Sequence, residues 1–463
     1  MPRIMITALR GGSGKTIITI GLASTFISKG KKISTFKKGP DFIDAGWLSF
    51  ASGSPCHNLD PFLMSEKAIL DSVTCNSSNM DMALIEGNRG LFDGVNVDGQ
   101  YSTAELAKLT KSPVIVIVDV TMCTRTVAAL IMGCQHFDPE LEISGIILNR
   151  VAGARQKNLI KSSIEKYCGI PVIGEIPKLK DNPFPERHMG LVPHFESGYA
   201  GDAVDWARSV VESHIDTAFI EEIAQKAGHL SSSGTEVTAN TREQPPLCRI
   251  GIVRDKAFWF YYPENIALLR ELGAELVEID SLTDSLIPDI DALYIGGGFP
   301  EVCAEELAEN SSFRNCLRDM IENDFPVYAE CGGLIYLGKS LEINGNSYPM
   351  VDALPVKFIM EKKPQGHGYT ILNVCNSNPF YEVGKTIRGH EFHYSRPVIL
   401  DENGMTSVFK VERGYCLDGK KDGFCKKNLF ATYTHIHAAE NRSWGQGLFD
   451  AAMRYKKDCE KKY

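Results

Sequence analysis

The stretch RIMITALRGGSGKT, residues 3–16, constrains the fold of this chain more than any other. It passes from an apolar run through a glycine-rich turn into a helical pattern, which is the context of a phosphate-binding loop. Such a loop needs a strand before it and a helix after it, because backbone N–H groups and the helix N-terminus together bind phosphate oxygens. The pattern GxxxxGK[ST] begins with a glycine, whereas this chain has Leu9 at that position.

The first half of the chain alternates short apolar runs with helical stretches. The runs are RIMITAL (3–9), KISTF (32–36), MALIE (82–86), PVIVIVDV (113–120), ISGIILN (143–149) and PVIGEIP (171–177). Continuous apolar runs indicate strands covered on both faces, and the helices between them indicate a parallel, doubly wound sheet. Residues 202–227 predict one closing helix.

A second alternating series follows a segment rich in Ser, Thr and Pro. This segment, 229–247, lacks apolar periodicity and predicts a linker. The second series begins at CRIGIVRD (248–255) and includes DALYIGGG (291–298) and FPVYAECGG (325–333). The predicted fold class is therefore α/β. A P-loop domain with a doubly wound, mostly parallel sheet spans 1–228, and an α/β domain spans 248–463.

Composition excludes several classes of partner and site. A formal net charge of −9 gives no electrostatic case for nucleic acid or an anionic membrane. No apolar run reaches the roughly 18 residues of a membrane span, and the N-terminus does not resemble a signal peptide. The 13 cysteines have no regular spacing, so neither a disulfide framework nor a zinc site is predicted. A cytoplasmic location is expected. The oligomeric state stays open, with a homodimer as one alternative.

The glycine-rich loop supplies the candidate nucleotide site. Backbone N–H groups of Gly12, Ser13 and Gly14 would approach phosphate oxygens. Lys15 would reach the β- and γ-phosphates, and the Thr16 hydroxyl would bind Mg²⁺. These residues predict ATP and Mg²⁺ as cofactors.

Acidic residues follow two further strands of the predicted sheet. KKGPDFID places Lys37, Asp41 and Asp44 at the carboxyl edge, where open α/β sheets bind ligands. Glu86 ends a third strand and is a suitable second Mg²⁺ ligand. Thr16, Asp41 and Glu86 therefore form the predicted metal site. Surface solvation is the alternative for any single acid.

Cys331 lies in a strand–ECGG–helix sequence, typical of the sharp elbow that presents a nucleophile. The helix N-terminus is expected to lower the pKa of the thiol. ATYTHIHAAE supplies His435 and His437, of which only one can face the thiol if they alternate along a strand. A buried, purely structural cysteine is the alternative.

The glycines near this elbow predict an oxyanion hole. IGGGFPE ends another strand, and backbone N–H groups of Gly297 and Gly298, together with Gly332, could bind a developing oxyanion. A thiolate that attacks a carboxamide releases ammonia. A separate ATP site could activate a carboxylate to receive this ammonia.

Eight motifs in this order resemble one family closely. They are GSGKT, FKKGPDFID, EGNRGLFDG, PERHMGLVP, GGGFPE, YAECGG, RGHEFHYS and THIH. They are similar to those of the cobyrinic acid a,c-diamide synthases. The resemblance implies a dethiobiotin-synthetase-like ATPase domain fused to a class I glutamine amidotransferase domain. It further implies amidation of the a and c acetate side chains of a corrin precursor, with ATP, Mg²⁺ and L-glutamine.

The resemblance also implies roles for individual residues. Lys37 would neutralise charge on the transferring phosphoryl group, and Asp41, Asp44 and Glu86 would serve the metal and the acyl-phosphate site. Arg187 in PERHMGL, followed by His188, would contact nucleotide.

For the second domain, the resemblance implies that Cys331 is the glutaminase nucleophile and His435 its base. Related amidotransferases carry a glutamate two residues after this histidine. This chain has His437 there, and Glu440 has a different spacing, so a Cys–His dyad is expected.

Departures from the family pattern leave the macrocycle open. Where the family reads EGVMGLYDG, this chain has Asn88 and Arg89, and the arginine could pair with a substrate carboxylate. Phe42 and Ile43 also lie where substrate is expected. Tetrapyrroles of the sirohaem type and nickel-sirohydrochlorin are the alternative substrates.

Three further alternatives remain at this point. His390, Glu391 and His393 in RGHEFHYSRP predict a loop that closes the site or contacts the other domain, with packing as the other interpretation. A partitioning-type P-loop ATPase switch is the alternative from a different functional class. A ligase acting on a cell-wall or biotin precursor is the remaining one.

Overall fold

The computed structural model describes residues 1–187, 190–196, 198–230 and 245–461. The chain divides into two compact units, Met1–Ala239 and Asn240–Tyr463. This division falls inside the segment 229–247. The domain boundaries drawn from the sequence stay a prediction.

Unit 1 contains a parallel sheet of seven strands. They are β1 (Arg3–Ala8), β2 (Ile33–Lys38), β3 (Cys56–Leu59), β4 (Met82–Glu86), β5 (Val114–Asp119), β6 (Ile143–Val151) and β7 (Val172–Pro177). Their order across the sheet is β3-β2-β4-β1-β5-β6-β7, and each neighbouring pair is parallel. The short strands β8 (Glu186–Arg187) and β9 (Gly190–Leu191) form an antiparallel pair.

The helices of unit 1 connect these strands. They are α1 (Lys15–Ser28), α2 (Phe42–Ser52), α3 (Glu66–Asn76), α4 (Thr103–Leu109), α5 (Thr126–Phe137), α6 (Ala154–Cys168), α7 (Ala200–His214) and α8 (Thr217–Gln225), with a 3₁₀ turn at His194–Glu196. The single helix predicted over 202–227 is two helices, because Asp216 caps α8 and Ile215 bridges to Gly174.

Burial explains which strands the sequence predicted and which it missed. Every residue of β1, β2 and β4 is buried, as expected for strands covered on both faces. The sequence did not predict β3, whose four residues, CHNL, give no apolar run and form an edge of the sheet. The carboxyl ends of β1, β2 and β4 carry the phosphate-binding loop and the acidic residues.

Unit 2 is built on a mixed sheet of ten strands. The strands of unit 2 are β10 (Cys248–Val253), β11 (Ala274–Ile279), β12 (Ala292–Ile295), β13 (Val327–Glu330), β14 (Ser340–Ile343), β15 (Asn346–Pro349), β16 (Val356–Met360), β17 (Gly366–Val374), β18 (Thr386–His393), β19 (Ser395–Ile399), β20 (Thr406–Arg413), β21 (Lys421–Lys426), β22 (Leu429–Thr432) and β23 (His435–Ile436). The order in the main sheet is β11-β10-β12-β13-β22-β21-β20-β17-β18-β23. Its first five strands are parallel and the others antiparallel. A second sheet has the order β15-β14-β16-β19.

The helices of unit 2 are α9 (Pro263–Glu271), α10 (Ala304–Glu309), α11 (Ser311–Glu322), α12 (Gly332–Leu337) and α13 (Arg442–Glu460). The parallel strands divide their side chains between two hydrophobic clusters. Val327 and Ala329 of β13 belong to one cluster, and Tyr328 between them belongs to the other. This alternation is that of a strand covered on both faces. In the described part of the chain, no helix has the length and apolar character needed to cross a membrane.

Candidate active sites

The loop between β1 and α1 has the backbone of a phosphate-binding loop. Gly12 and Gly14 have positive φ angles, 69° and 90°, and α1 begins directly after Gly14. A Cβ at Gly14 would lie 2.6 Å from Asn149 Nδ2, so only glycine fits. Asn149 donates a hydrogen bond from Nδ2 to the Ser13 carbonyl at 2.9 Å. This support from the end of β6 was not predicted from the sequence.

Lys15 is held at the mouth of the loop by backbone oxygens. Its Nζ donates to the Arg89 carbonyl at 2.8 Å and lies 3.4 Å from the Arg10 carbonyl. Burial lowers the pKa of Lys15, while the nearby carboxylate of Glu86 opposes this effect. These two contacts hold the Lys15 amine beside the loop.

Four predicted residues meet beside α1. Lys37 Nζ lies 2.5 Å from Asp44 Oδ2 and 2.8 Å from Glu86 Oε1. Thr16 Oγ1 lies 2.8 Å from the same Glu86 oxygen and 3.1 Å from the same Asp44 oxygen. Lys37 and Glu86 are cross-strand partners of β2 and β4, which explains how residues 49 positions apart in sequence meet.

The charges in this cluster stabilise one another. Burial alone would lower the pKa of Lys37, but the carboxylates of Asp44 and Glu86 outweigh it and raise that pKa. Burial raises the pKa of Glu86, and the Lys37 ammonium opposes this shift. The cluster thus keeps a charged lysine within a buried site.

Thr16, Asp44 and Glu86 bring three side-chain oxygen atoms together beside the phosphate-binding loop. Glu86 Oε2 is buried and has no hydrogen-bond partner among the described residues, so it is available as a ligand. Carboxylate and hydroxyl oxygens are the donors that Mg²⁺ prefers. Among the residues that the structure covers, no group of three or more His, Cys, Asp and Glu side chains could hold a metal, and this cluster has only two carboxylates.

Asp41 has a structural contact of its own. Its Oδ1 accepts a hydrogen bond from the Asp44 N–H at 2.9 Å and caps α2. Burial, followed by the charge of Asp44, raises the pKa of Asp41 to about 7. One carboxylate oxygen is therefore committed to the helix, and a metal role for Asp41 stays a prediction.

The predicted substrate residues lie at the same edge of the sheet. Phe42 and Ile43 form the first turn of α2 and are half-buried. Asn88 follows β4, and its Nδ2 would lie 3.2 Å from a Cβ placed on Gly39. Arg89 is exposed and has a φ of 51°. The side chain of Arg187 and the whole of residue 188 lie outside the described part of the chain.

Cys331 in unit 2 lies on a strained corner between β13 and α12. Its φ is 46° and its ψ is −95°, a backbone that L-residues rarely adopt. The Cys331 N–H donates to the Thr432 carbonyl of β22 at 2.8 Å. A Cβ on Gly332 would lie 3.0 Å from the Gly298 nitrogen, and one on Gly333 would lie 2.6 Å from the Ile295 carbonyl oxygen. The two glycines after the thiol are therefore required by close packing.

The predicted lowering of the Cys331 pKa is wrong. The residue is only 6% exposed, and burial raises the pKa of its thiol, with the charges of Glu301, Glu330 and Glu391 adding to the effect. The Gly332 N–H opposes this shift but does not outweigh it. The thiol Sγ lies 3.7 Å from the Phe392 carbonyl oxygen. A neutral thiol of this kind needs a base before it can act as a nucleophile.

His435 opens β23 and is buried in the same unit. Its Nδ1 lies 3.2 Å from Glu330 Oε2, and its Nε2 has no hydrogen-bond partner within the described ranges. The ring stacks on Phe260 at a centroid distance of 4.2 Å. The Nε2 of His437 instead lies 3.5 Å from Glu264 Oε2, as expected if the two histidines alternate. Glu330 was not among the sequence predictions.

The glycines of GGGFPE fit closely against this histidine and the adjacent backbone. A Cβ on Gly297 would lie 2.4 Å from His435 Cε1, and one on Gly298 would lie 2.0 Å from the Ala257 carbonyl oxygen. The Gly298 nitrogen is also close to Gly332. The oxyanion hole stays a prediction, and the structure adds that Gly297 makes room for the imidazole.

The segment RGHEFHYS is a strand, so the predicted loop is wrong. Residues Thr386–His393 form β18, which pairs with β17 on one side and β23 on the other. His390 is the cross-strand partner of His435. Glu391 accepts hydrogen bonds from the N–H groups of Tyr415 and Cys416 and lies 3.1 Å from His393 Nε2.

Asp422 supports the chain before His435 and was also not predicted. It is fully buried and accepts hydrogen bonds from the hydroxyls of Thr432 at 2.6 Å and Thr434 at 3.0 Å. Its other oxygen accepts the N–H of Gly423 at 2.8 Å. Thr432 and Thr434 are two residues apart in the sequence, and this spacing gave no signal that an aspartate on β21 would bind both.

Comparisons with known proteins match both units. Residues 4–192 match the family described as the CobQ/CobB/MinD/ParA nucleotide binding domain, and residues 249–443 match the CobB/CobQ-like glutamine amidotransferase domain. The cobyrinate a,c-diamide synthase of Archaeoglobus fulgidus is 40% identical over 98% of this chain and 98% of its own length. The chain belongs to the cobyrinate a,c-diamide synthase family.

Other members of the cobyrinate a,c-diamide synthase family match at similar length. The synthase of Magnetococcus marinus is 40% identical over 97% of this chain and 96% of its own length. The synthase of Leptospira interrogans is 36% identical over 98% of this chain and 99% of its own length. Together with the two domain matches, this membership identifies an ATP-dependent amide ligase that uses glutamine. It favours the ligase over the partitioning-type ATPase switch.

Proposed function

We propose that this protein converts the a and c acetate carboxylates of a corrin precursor into amides, using ATP and L-glutamine. The observation that carries the proposal is that one chain holds two separate reactive clusters. One is the lysine–carboxylate cluster at the phosphate-binding loop, and the other is the strained elbow at Cys331, whose unit also buries His435. The near-full-length relatives are cobyrinate a,c-diamide synthases, and they are the basis for the corrin substrate.

In unit 1, a substrate carboxylate would attack the γ-phosphorus of ATP, and ADP would leave. Lys15 and Lys37 carry the positive charges that stabilise the transferring phosphoryl group. Mg²⁺, held by Thr16, Asp44 and Glu86, would neutralise charge on the triphosphate. Lys37 is suited to this role because its ammonium is already fixed by two carboxylates. The product of this step is an acyl phosphate.

In unit 2, His435 would accept the thiol proton of Cys331 through Nε2, the nitrogen without a partner in the described chain. The thiolate would attack the carboxamide carbon of glutamine, and backbone N–H groups of Gly298 and Gly332 would stabilise the oxyanion. His435 would then give the proton to the leaving ammonia. Water would hydrolyse the glutamyl thioester to glutamate.

The two half-reactions meet at the acyl phosphate. Ammonia would attack its carbonyl carbon, forming the amide and releasing phosphate. Ammonia must reach that carbon unprotonated, because an ammonium ion has no lone pair to donate. A cytoplasmic location and independence from nucleic acid and membrane are part of the same proposal, and monomer and homodimer stay open.

The substrate is tested by mass spectrometry of macrocycles incubated with the protein, ATP, Mg²⁺ and glutamine. Cobyrinate, a sirohaem-type ring and nickel-sirohydrochlorin are offered separately. We expect two successive acid-to-amide mass changes on cobyrinate alone. A change on a sirohaem-type ring or nickel-sirohydrochlorin with none on cobyrinate would contradict the corrin assignment. In that case Asn88 and Arg89, which depart from the family pattern, would be the first residues to exchange.

A further inference from the structure

Glu330 is a buried carboxylate for which the proposed reaction has so far given no role. It ends β13 and directly precedes Cys331, and its Oε2 lies 3.2 Å from His435 Nδ1. Both side chains are about 2% exposed. We propose that Glu330 is a positioning residue that orients His435 and stabilises its protonated form, so that Cys331, His435 and Glu330 act as a triad. This inference rests on the proposed role of His435 as the base for Cys331.

The hydrogen bond determines which nitrogen of His435 can react. A carboxylate accepts hydrogen bonds and donates none, so Nδ1 must carry the proton that it shares with Glu330. In the neutral ring, Nε2 then has a free lone pair. This is the nitrogen that has no partner among the described residues. The contact therefore selects the tautomer that a base at Cys331 needs.

The burial of Glu330 supports a functional role. A buried carboxylate is costly unless it is paired and hydrogen-bonded. Oε1 of Glu330 is buried and has no hydrogen-bond partner in the described residues, so the surrounding side chains do not fully compensate the carboxylate for the loss of water. When His435 takes the Cys331 proton, the imidazolium becomes the counter-charge of this carboxylate. The resting structure thus holds a negative charge where a positive charge is to form.

The negative charge of Glu330 also affects three buried tyrosines of unit 2. Burial raises the pKa values of Tyr261, Tyr294 and Tyr328, and the negative charge of Glu330 raises them further. These tyrosines stay neutral, so none of them supplies the negative counter-charge that a protonated His435 would need. Glu330 is therefore the charged group of β13 that acts on His435.

The structure also explains why the carboxylate beside His435 Nδ1 comes from β13 and not from the residues after His435. The position two residues after His435, where related amidotransferases carry a glutamate, is His437. That histidine faces Glu264, on α9. Because β13 and β22 are parallel neighbours and Cys331 N–H binds the Thr432 carbonyl, the elbow and the chain before His435 are tied together. The residue before the nucleophile is then within reach of Nδ1.

The test uses the full chain with Glu330→Gln, which keeps the shape of the side chain and removes its charge. Loss of the charge should slow glutamine hydrolysis by about 10²- to 10⁴-fold. The acid limb of the kcat/KM profile for glutamine hydrolysis should also move to lower pH, because the negative charge beside the imidazolium is removed. The titratable groups near His435 include Glu330, His390, Glu391 and His393 of β18, and His437 two residues further along the chain, and all of them except Glu330 are unchanged in this variant. Amidation with added ammonium salt should be unaffected.

Glu264→Gln is the matched control, because it removes the same charge from beside the other histidine. It should leave the rate and pH profile of glutamine hydrolysis unchanged. Wild-type hydrolysis and an unmoved acid limb in Glu330→Gln would overturn the inference, even if Cys331→Ala is inactive with glutamine. Glutamine use by Cys331→Ala would instead overturn the proposed function itself.

Glu330→Asp covers the case in which Glu330→Gln does not fold, seen as loss of ammonia-driven amidation as well. It keeps the charge on a shorter side chain. A reduced kcat with the wild-type acid limb supports the triad, since the charge is present but displaced. A fully active Glu330→Asp whose acid limb is shifted would contradict it.

Discussion

The two candidate sites of this protein differ in the charge of their buried side chains. In unit 1, Lys37 is buried between Asp44 and Glu86, and this pairing keeps it charged. In unit 2, burial raises the pKa of Cys331 and lowers the pKa of His390, so both side chains stay neutral. A site for a triphosphate needs permanent positive charge. The proposed nucleophile can instead be neutral at rest, because a base is to remove its proton.

The largest expected effect separates the clusters by deleting the thiol. Cys331→Ala should lose glutamine-driven amidation by at least about 10⁴-fold, because the covalent step is removed. Amidation with added ammonium salt should persist, since unit 1 keeps its cluster. The measurement is macrocycle amidation with each nitrogen source. Cys425→Ala, which removes another buried thiol of unit 2, is the control and should behave as wild type. If Cys331→Ala still used glutamine, glutamine use would not depend on the thiol, and the assignment of this step to Cys331 would be wrong.

The mirror experiment breaks the charge pairing of unit 1. Lys37→Met should reduce amidation with both nitrogen sources by about 10²- to 10³-fold, because charge on the transferring phosphoryl group is no longer stabilised. Glutamine hydrolysis without macrocycle should continue. Removing one partner of a buried ion pair should also cost about 3 kcal/mol of stability in metal-free protein.

A surface ion pair supplies the control for this stability change. Lys31→Met removes a half-exposed partner of Glu221 and should change stability by less than about 1 kcal/mol. Urea unfolding of both variants measures the difference. Equal losses in the two variants would mean that the buried cluster is not held by charge.

The raised pKa of Cys331 predicts that its thiol is alkylated slowly. Iodoacetamide should modify Cys331 at least about tenfold more slowly than exposed Cys375 at pH 8, because only the thiolate reacts and burial disfavours it. The Cys331 rate should still be rising above pH 9. Peptide mass spectrometry after timed quenching measures both sites in one sample. Faster modification of Cys331 than Cys375 at pH 7 would restore the lowered pKa that the sequence predicted.

The smallest effect concerns Asp41, whose pKa burial raises from 3.8 to about 7. The folded state then binds more protons than the unfolded state between these values, so stability should fall as pH rises from about 4 to 7. Asp41→Asn keeps a side-chain oxygen for the α2 cap but cannot ionise, so this part of the slope should disappear.

Urea unfolding at pH 5 and pH 8, with chelator present, measures this slope. Asp216→Asn, which alters the cap of α8 in the same unit, should keep the wild-type dependence on pH. If Asp41→Asn shows the wild-type slope as well, the raised pKa of Asp41 does not contribute to stability.

Local patterns predicted most of the first unit. Apolar runs located β1, β2, β4, β5, β6 and β7, and GSGKT located the start of α1, because buried parallel strands and a helix after a glycine-rich turn are short-range features. β3 was missed since an edge strand with polar residues has no such run. The contact between Lys37 and Glu86 could be expected, because both residues lie at the carboxyl ends of neighbouring strands. The sequence did not show that Asp44 would join this cluster while Asp41 caps α2.

In the second unit the corner at Cys331 was predicted correctly, whereas the direction of its pKa shift and the loop at RGHEFHYS were predicted wrongly. ECGG placed the corner at Cys331, and the helix after it suggested a lowered pKa. Burial reverses that shift together with the charges of three carboxylates, of which Glu330 directly precedes Cys331 while Glu301 and Glu391 come from other parts of the chain. The acid partner of His435 was sought downstream in sequence, whereas the structure brings Glu330 from β13, a strand that does not pair with β23.

The sequence by itself determined the α/β class, the phosphate-binding loop, the nucleophile corner and the alternation of His435 with His437. Each depends on residues within one turn or one strand, so backbone geometry relates them directly. Only the tertiary structure decided the protonation of Cys331, the capping role of Asp41, and the contacts of Glu330 and Asp422. Those properties depend on burial and on charges that distant segments contribute, and no local spacing encodes them.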